Sequence, residues 1–515
     1  MYHKRKISLI ITLALVLVVL PFNVITAQSN IIYEKSTVQT ITSGATLENI
    51  VRFTDNGWLN INVIRIDLSN PYIKVDTLTN KNSVKKLTST LTLAKDWGAV
   101  AAVNGSFFSS LGSGNGYSDG PVVQSGEILT AWYEFNRYSE VMASFSLDNQ
   151  NNVIYNYLKP EITLIAPNGK TTSVMQYNYP SRYNYTDFTI LDRKWDAKSI
   201  GVSANYPDIV EMVVDNGKVV EIRQSMPAVT IPENGYVVIT REKGGKFLTE
   251  NFNVGDDVNM SIKTNPDWEN LKMSVSGSSI LVKEGKIPDK FSYDTPSISA
   301  RHPRTLIGSS KDGKQLLLVT VDGRQTSSIG LTQLESAQLM LELRAYNAMN
   351  LDGGGSTVLV ARKPGTSNIN TVNSPSDGAV RAVANAIGVF SIAPPSELEG
   401  LIIDMEDINV FVNTSRKLTV RGYDKYFNPI LVDPQKVQWS IEGIKGTFKD
   451  GAFYPATVGE GKITAKVGNI TASTNISSLS APVKLELNKK SIKLPVGGSA
   501  TFSVTGQNKN GYSAV

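Results

Sequence analysis

The stretch VTVDGRQTSSIGLTQLESAQLMLELRAYNAMNLDGGGST (319–357) decides how the rest of the chain is read. An apolar run ends at Asp322, and Thr332 with Glu335 spells a capping box. Leu334, Ala337, Leu341 and Ala345 then recur at helical spacing up to about Tyr346. A second apolar run arrives at Asp352, three glycines follow, and Ser356-Thr357 leads into another β-branched run. Strand, loop, helix, strand and glycine loop make a βαβ-like unit. A tight turn rarely needs more than one or two glycines, and each loses more backbone freedom on folding than other residues do. The excess predicts a place where the backbone is approached closely.

Outward from this unit the pattern is short β-branched and aromatic runs separated by Gly, Asn and Asp turns. INVIRIDL (61–68), AVAAV (99–103), IVEMVV (209–214) and LLLVTV (316–321) all read as strands. One helix among many strands predicts an α+β, mixed-sheet domain over residues 28–392, with its core motifs in 99–392. APPSELEG (393–400) reads as a linker. Behind it, 401–478 alternates like a small all-β sandwich, with Trp439 expected on a central strand of an immunoglobulin-like module. KLTVRGYDKYFNP (417–429) and TFSVTGQNKNGYS (501–513) align Gly422 over Gly506, so a second copy begins at 481. Residues 481–515 are too few to bury a sandwich face, and the chain reads as a fragment or as ending in a disordered tail.

The first 27 residues stand apart. A basic stretch, Lys4-Arg5-Lys6, precedes an apolar run from Ile7 to Leu20, and Ile25-Thr26-Ala27 offers a cleavage site. The run is short for a membrane span, so 1–27 reads as a cleaved signal peptide of bacterial export, with an uncleaved anchor as the alternative. The chain carries 51 Lys+Arg against 46 Asp+Glu, and three of the basic residues lie in that segment, which has no acid. The remainder is nearly neutral, and nothing in it points to nucleic acid. There is no cysteine, which rules out disulfides, thiol nucleophiles and Cys-based metal sites. Of two histidines, His3 falls in the leader, leaving His302. Multi-His zinc sites and HExxH motifs are therefore excluded. His302, beside a proline, is the less favoured base, so catalysis leans on Asp, Glu, Arg, Asn, Ser, Tyr and backbone amides.

Four stretches carry chemistry. AAVNGSFFSS (101–110) runs a strand into Asn104 and two aromatics, where an Asn-Gly turn is the plain reading. RHPRTLIG (301–308) sets Arg304 beside a proline, and arginine forks suit phosphate or carboxylate. VDGRQTSS (321–328) places Arg324 and hydroxyls, Ser328 among them, before a helix start that favours anions. Compared with it, KDGK (311–314) reads only as a turn. NLDGGGST (350–357) holds Asp352 beside permissive backbone, but lacks the Gly-Lys-Ser/Thr of a P-loop and the acid spacing of an EF-hand.

Taken in order with SGSSILVKEGK (276–286) and VNSPSDGAVRAVANAIGVF (372–390), these motifs resemble the phosphodiester glycosidases over roughly residues 50–392. The family's second glycine near Gly277 is replaced here by flanking serines. The C-terminal modules resemble bacterial Ig-like repeats. The resemblance implies hydrolysis of the bond between an anomeric sugar carbon and a phosphate oxygen. Asp322 and Asp352 are then the catalytic carboxylates, and a sugar phosphate leaves without much protonation. Arg304, Arg324 and Arg381 would hold phosphate. Asn104, Ser328 and Ser356 would touch sugar or phosphate, and Gly353, Gly354 and Gly355 would bring backbone amides close. No cofactor is required, and an Asp/Asn site for Ca²⁺ or Mg²⁺ stays open. The implied partner is a phosphorylated glycan or cell-wall polymer, met at the cell surface with the Ig-like modules against the envelope. The alternative is a surface module that holds an anionic glycan without turning it over.

Overall fold

The computed structural model describes residues 30–132, 142–179 and 185–515; the leader read over 1–27 lies outside the described residues. Strands hold 48% of the chain and helices 9%, so the molecule is β-rich and built of several sheets.

The strand Gln315–Val321 lies in the middle of a seven-stranded sheet, between Gly57–Asp67 and Arg304–Ser309. Its run QLLLVTV is continuous rather than alternating because both faces are covered. Leu316 and Leu318 enter a core shared with Val103, Leu359, Ile387 and Val389 of a five-stranded sheet. Leu317, Val319 and Val321 enter a second core, under the helix Gln333–Glu342. The strand Asn347–Asn350 pairs with the far side of Arg304–Ser309. The helix therefore carries the chain over one intervening strand.

Every pairing in the seven- and five-stranded sheets is antiparallel. The expected mixed sheet is thus antiparallel where it carries the motifs. Parallel pairing among the described residues joins Thr171–Tyr177 to Phe188–Asp192, and Asn409–Phe411 to Ile470–Leu479.

The helix begins as its sequence predicts: Thr332 Oγ1 accepts from the Glu335 amide at 3.2 Å, and the Glu335 carboxylate accepts from the Thr332 amide at 2.8 Å. It ends earlier than expected, at Glu342, because Arg344 turns into the left-handed region at φ 67°. Its buried face is also rotated from the expected one and comprises Gln333, Ser336, Ala337, Leu339 and Met340. Met340 lies over Gly308, where a Cβ would stand 2.4 Å from its methyl carbon, so a bare backbone on the strand below admits the thioether.

Behind the large sheets, the presumed linker is short: the strand Leu398–Asp404 already includes its last three residues. Trp439 lies on Gln438–Glu442, an edge strand of a four-stranded sheet rather than a central one. The loop after Asp424 rests on the large domain. The Ser43 amide donates to the Tyr426 carbonyl at 3.1 Å, Tyr426 packs on Tyr72 at 4.6 Å, and Arg362 Nη2 donates to the Phe427 carbonyl at 3.1 Å. Strands Lys484–Leu487, Val504–Gln507 and Ser513–Ala514 form a last small sheet, where Gly506 lets the Phe411 ring come within contact. No helix among the described residues is long and apolar enough to cross a membrane.

The capping box gives the first prediction. Thr332→Ala removes an N-cap acceptor and will lower stability by about 1 kcal/mol in urea denaturation, whereas Thr332→Ser keeps the acceptor and will leave stability essentially unchanged.

Candidate active site

Asn104 ends the strand Ala101–Asn104 of the five-stranded sheet and reaches into the seven-stranded one. Its Oδ1 accepts from Thr305 Oγ1 (2.7 Å) and from the Val358 amide (3.1 Å), while its Nδ2 donates to the Asp352 carbonyl (2.7 Å). The Asp352 amide donates to the Gly105 carbonyl (3.0 Å). Fully buried, Asn104 pins the turn 351–358 where the two sheets meet. It is a positioning residue and not the ligand contact expected of it.

That turn closes one side of a cavity of about 290 Å³, also walled by Phe107, Ile298, His302, Arg304, Arg324, Asn350 and Arg381. Each glycine has its own steric reason. A Cβ at Gly353 would stand 2.8 Å from the Pro303 carbonyl oxygen, one at Gly354 3.2 Å from Arg324 Nη2, and one at Gly355 2.1 Å from Arg381 Nη2. Gly354 also sits at φ 60°, where a side chain is strained. The Gly354 amide donates to the Pro303 carbonyl, and the Gly353 amide lies against the Asp352 carboxylate. Gly354 and Gly355 thus admit the arginines that wall the cavity, and Gly353 admits the Pro303 carbonyl, where the motif suggested amides bared for a ligand.

Asp352 supplies the carboxylate of this wall. Burial pushes it up to about 7, against the pull of the Ser356 hydroxyl, the Arg381 charge and the Gly353 amide, with Asp119 adding a small upward push. Ser356 is buried between Asp352 and Arg381, whose Nη1 donates to its Oγ at 3.4 Å, so it too positions rather than binds. Arg381 forms a fork on Asp377, with Nε and Nη2 at 2.9 and 2.6 Å from one carboxylate oxygen.

Arg304 is 3% exposed and has no carboxylate partner among the described residues; Nε and Nη2 donate to the carbonyls of Leu331, Ile298 and Ala300. Burial brings it down to about 10. Its Nη1 has no protein acceptor among the described residues, so a buried cation lines the cavity with an unused donor. Arg324 stands in the left-handed region at φ 59°, and its Nη2 donates to His302 Nδ1 at 3.2 Å. That contact places the His302 proton on Nε2, and burial together with the Arg324 and Arg304 charges holds the ring below its ordinary value. Three guanidinium groups and a neutral imidazole against Asp352 and the paired Asp377 make the cavity suited to an anion.

Besides Asn104 and Ser356, two more of the expected residues do not line the cavity. Asp322 is buried, and its carboxylate accepts from Asn373 Nδ2 (2.9 Å) and from the Ser374 amide (3.1 Å to each oxygen). It anchors the 373–374 segment, and burial raises its pKa. Ser328 is buried as well; its Oγ donates to the Asp322 carbonyl and accepts from the Asn60 amide. The Asp-Gly strand end is therefore a bracing turn, and the expected Asp322–Asp352 pair is not brought together as two cavity carboxylates. Asn350 and Asp377 carry no signal in the sequence, and His302 is there only the less favoured base. His302 had a signal, since it stands inside the arginine motif as the sole histidine outside the leader. The serines of SGSS are buried and engaged internally: the Ser276 amide donates to Ser106 Oγ, and Ser279 Oγ to the Tyr293 carbonyl. Among the described residues, no group of three or more His, Cys, Asp or Glu side chains is disposed to hold a metal.

Residues 208–390, which carry the arginine motif, the VDGR strand end and the glycine turn, match the phosphodiester glycosidase family. The expected resemblance is therefore present over that segment. Two proteins share shorter stretches. The SPbeta prophage-derived protein YomE of Bacillus subtilis is 34% identical over 109 residues, 21% of this chain and 16% of its own. The N-acetylglucosamine-1-phosphodiester alpha-N-acetylglucosaminidase of Bos taurus is 46% identical over 57 residues, 11% of this chain and 10% of its own. The matched stretches thus span under a fifth of either relative. A solved structure from Burkholderia pseudomallei, titled as a candidate exported protein, has the same fold at a TM-score of 0.57. It is 19% identical, over 70% of this chain and 96% of that one.

Two predictions follow from the geometry. Gly355→Ala forces its Cβ onto Arg381 and onto the Asp377 oxygens at 2.3 and 2.4 Å. It will cost about 1–3 kcal/mol in urea denaturation, a loss that Asp377→Ala in the same chain will largely relieve. For Asp352, a raised folded pKa means that ionisation opposes folding. That penalty is absent below the ordinary carboxylate range and is fully present above about pH 7. Asp352→Asn will therefore be more stable than the parent at pH 8, by about 1–3 kcal/mol, and will show no advantage at pH 4.

Proposed function

We propose that this domain hydrolyses the anomeric carbon–oxygen bond of sugar-1-phosphodiesters, of the N-acetylglucosamine-1-phosphate kind, in extracellular or envelope glycans. The observation that carries the reading is a carboxyl group held near neutrality, Asp352, set in a cavity whose other ionisable walls are arginines and a neutral histidine. A phosphodiester is a monoanion and matches that excess of cations. Arg304 Nη1, Arg324 and Arg381 bind the phosphoryl oxygens. Asp352, ionised above neutrality, acts on the anomeric carbon directly or through a water. The phosphate monoester departs with the bridging oxygen and needs little protonation, so one cavity carboxylate suffices. Asn350 is placed to contact either the phosphate or the sugar, and the His302 ring, held between Arg324 and the Ser297 backbone, shapes the wall beside it. Asp322 serves by bracing the 373–374 segment.

Export through the leader at 1–27 would bring the enzyme to its polymer. Residues 401–478, as an Ig-like module, would hold the catalytic domain at a set orientation, since the loop after Asp424 is hydrogen-bonded to it.

The test is hydrolysis of a sugar-1-phosphodiester in ¹⁸O-labelled water. Label is expected in the released sugar, and label in the phosphate would overturn carbon–oxygen cleavage. Asp352→Asn will lower kcat by about a thousandfold or more, and Asp322→Asn will act mainly through stability. Binding of such diesters without turnover by the parent chain would replace the enzyme with a module that merely holds anionic glycans.

A further inference from the structure

A second cavity, of about 350 Å³, lies apart from the first, between the loop that follows Ile73–Leu78 and the helix Thr90–Trp97. It falls within the range of sites that enclose small ligands. Its construction is specific. Trp97 is fixed by its Nε1, which donates to the Thr79 carbonyl at 2.7 Å, and it leaves its half-buried ring along the cavity wall. Lys81 Nζ stands 4.9 Å from the centre of that ring. Exposed Lys81 has no carboxylate partner among the described residues, whereas Lys194 is paired with Glu127 at 2.5 Å and Arg193 with Glu233 at 2.9 Å.

Gln124 forms the floor. It is only 6% exposed, and its Oε1 accepts from Thr79 Oγ1 at 2.7 Å. Its Nε2 has no protein acceptor among the described residues, although the side chain lines the cavity. That amide is not among the side-chain atoms buried without a partner, so it opens onto the cavity and is free to donate to a bound ligand.

An aromatic wall, an oriented amide donor and an unpaired ammonium together select a ligand with an apolar ring face, hydroxyl acceptors and a negative charge. We propose that this cavity is a second saccharide site, which takes a sugar unit bearing a phosphate or a carboxylate. Lys81 binds the anion, Gln124 Nε2 donates to a hydroxyl or ring oxygen, and Trp97 lies along the ring. The chain from the cavity leads directly to Thr88–Ser89, which pairs with Ala382–Val383 immediately after Arg381. One continuous segment therefore joins this site to the wall of the first cavity.

Binding can be read without turnover, so the site stands or falls separately from the hydrolysis reading. The full chain carrying Arg324→Ala, which weakens the first cavity, is titrated with glucose 6-phosphate, glucuronate, glucose and inorganic phosphate by ligand-observed NMR. Glucose 6-phosphate and glucuronate are expected to bind in the millimolar range, with glucose and inorganic phosphate each weaker by about tenfold or more. Lys81→Met, at an exposed position, and the isosteric Gln124→Glu, which keeps the Thr79 contact, will each weaken the anionic sugars by about tenfold. No binding of the anionic sugars, or binding indifferent to both substitutions, overturns the proposal. Equal affinity for inorganic phosphate would reduce the site to an anion site, and equal affinity for glucose would remove the role of charge; either result overturns it.

Discussion

The side chain of Asn104 ties the two sheets of the large domain to the turn between them. It accepts from one sheet through Thr305, accepts from the Val358 amide and donates to the Asp352 carbonyl. A buried amide with its hydrogen bonds made is stabilising, and one left unpaired would carry a desolvation penalty, so the arrangement has little freedom to drift. The turn that bears Asp352 is consequently set by main-chain and amide contacts, independently of any ligand. The cavity is built around a carboxyl whose position is decided before its charge.

Charge then follows from burial. The same low-dielectric wall that raises Asp352 toward neutrality also lowers Arg304 and holds His302 neutral. These shifts oppose the charged forms of both signs, yet the arginines remain protonated at any physiological pH and Asp352 does not remain fully ionised. The cavity is therefore more positive than a count of its residues suggests, and it becomes less so as pH rises through 7. The glycines belong to this electrostatic arrangement: each missing Cβ is the space a carbonyl or a guanidinium occupies.

Much of the fold was legible because local rules and tertiary context agree. The capping box between Thr332 and Glu335 forms as spelled. The run at 316–321 is a strand, and its unbroken apolarity corresponds to burial on both faces. The candidate site was legible in its motifs and less so in its roles. Asp322 and Asp352 look alike in sequence, each an acid at a strand end followed by glycine. Asp322 turns to the Asn373 and Ser374 donors, which lie about fifty residues later in the chain, and no local pattern announces that contact. His302 was discounted for its proline neighbour, but the bend it belongs to brings the ring beside Arg324.

By itself, the sequence determined the β-rich class, the single long capped helix of the central unit, the absence of thiol and multi-histidine chemistry, and the set of motifs from which a site would be drawn. These are properties of composition, periodicity and short-range hydrogen bonding, each complete within a few residues. Tertiary structure alone decided which aspartate enters the cavity, which hydroxyls brace it, what the glycines make room for, and that Gln124 and Lys81 face a second cavity. Each of those outcomes depends on a donor, acceptor or steric neighbour supplied by a distant segment. Sheet register, rather than any local preference, brings those segments together.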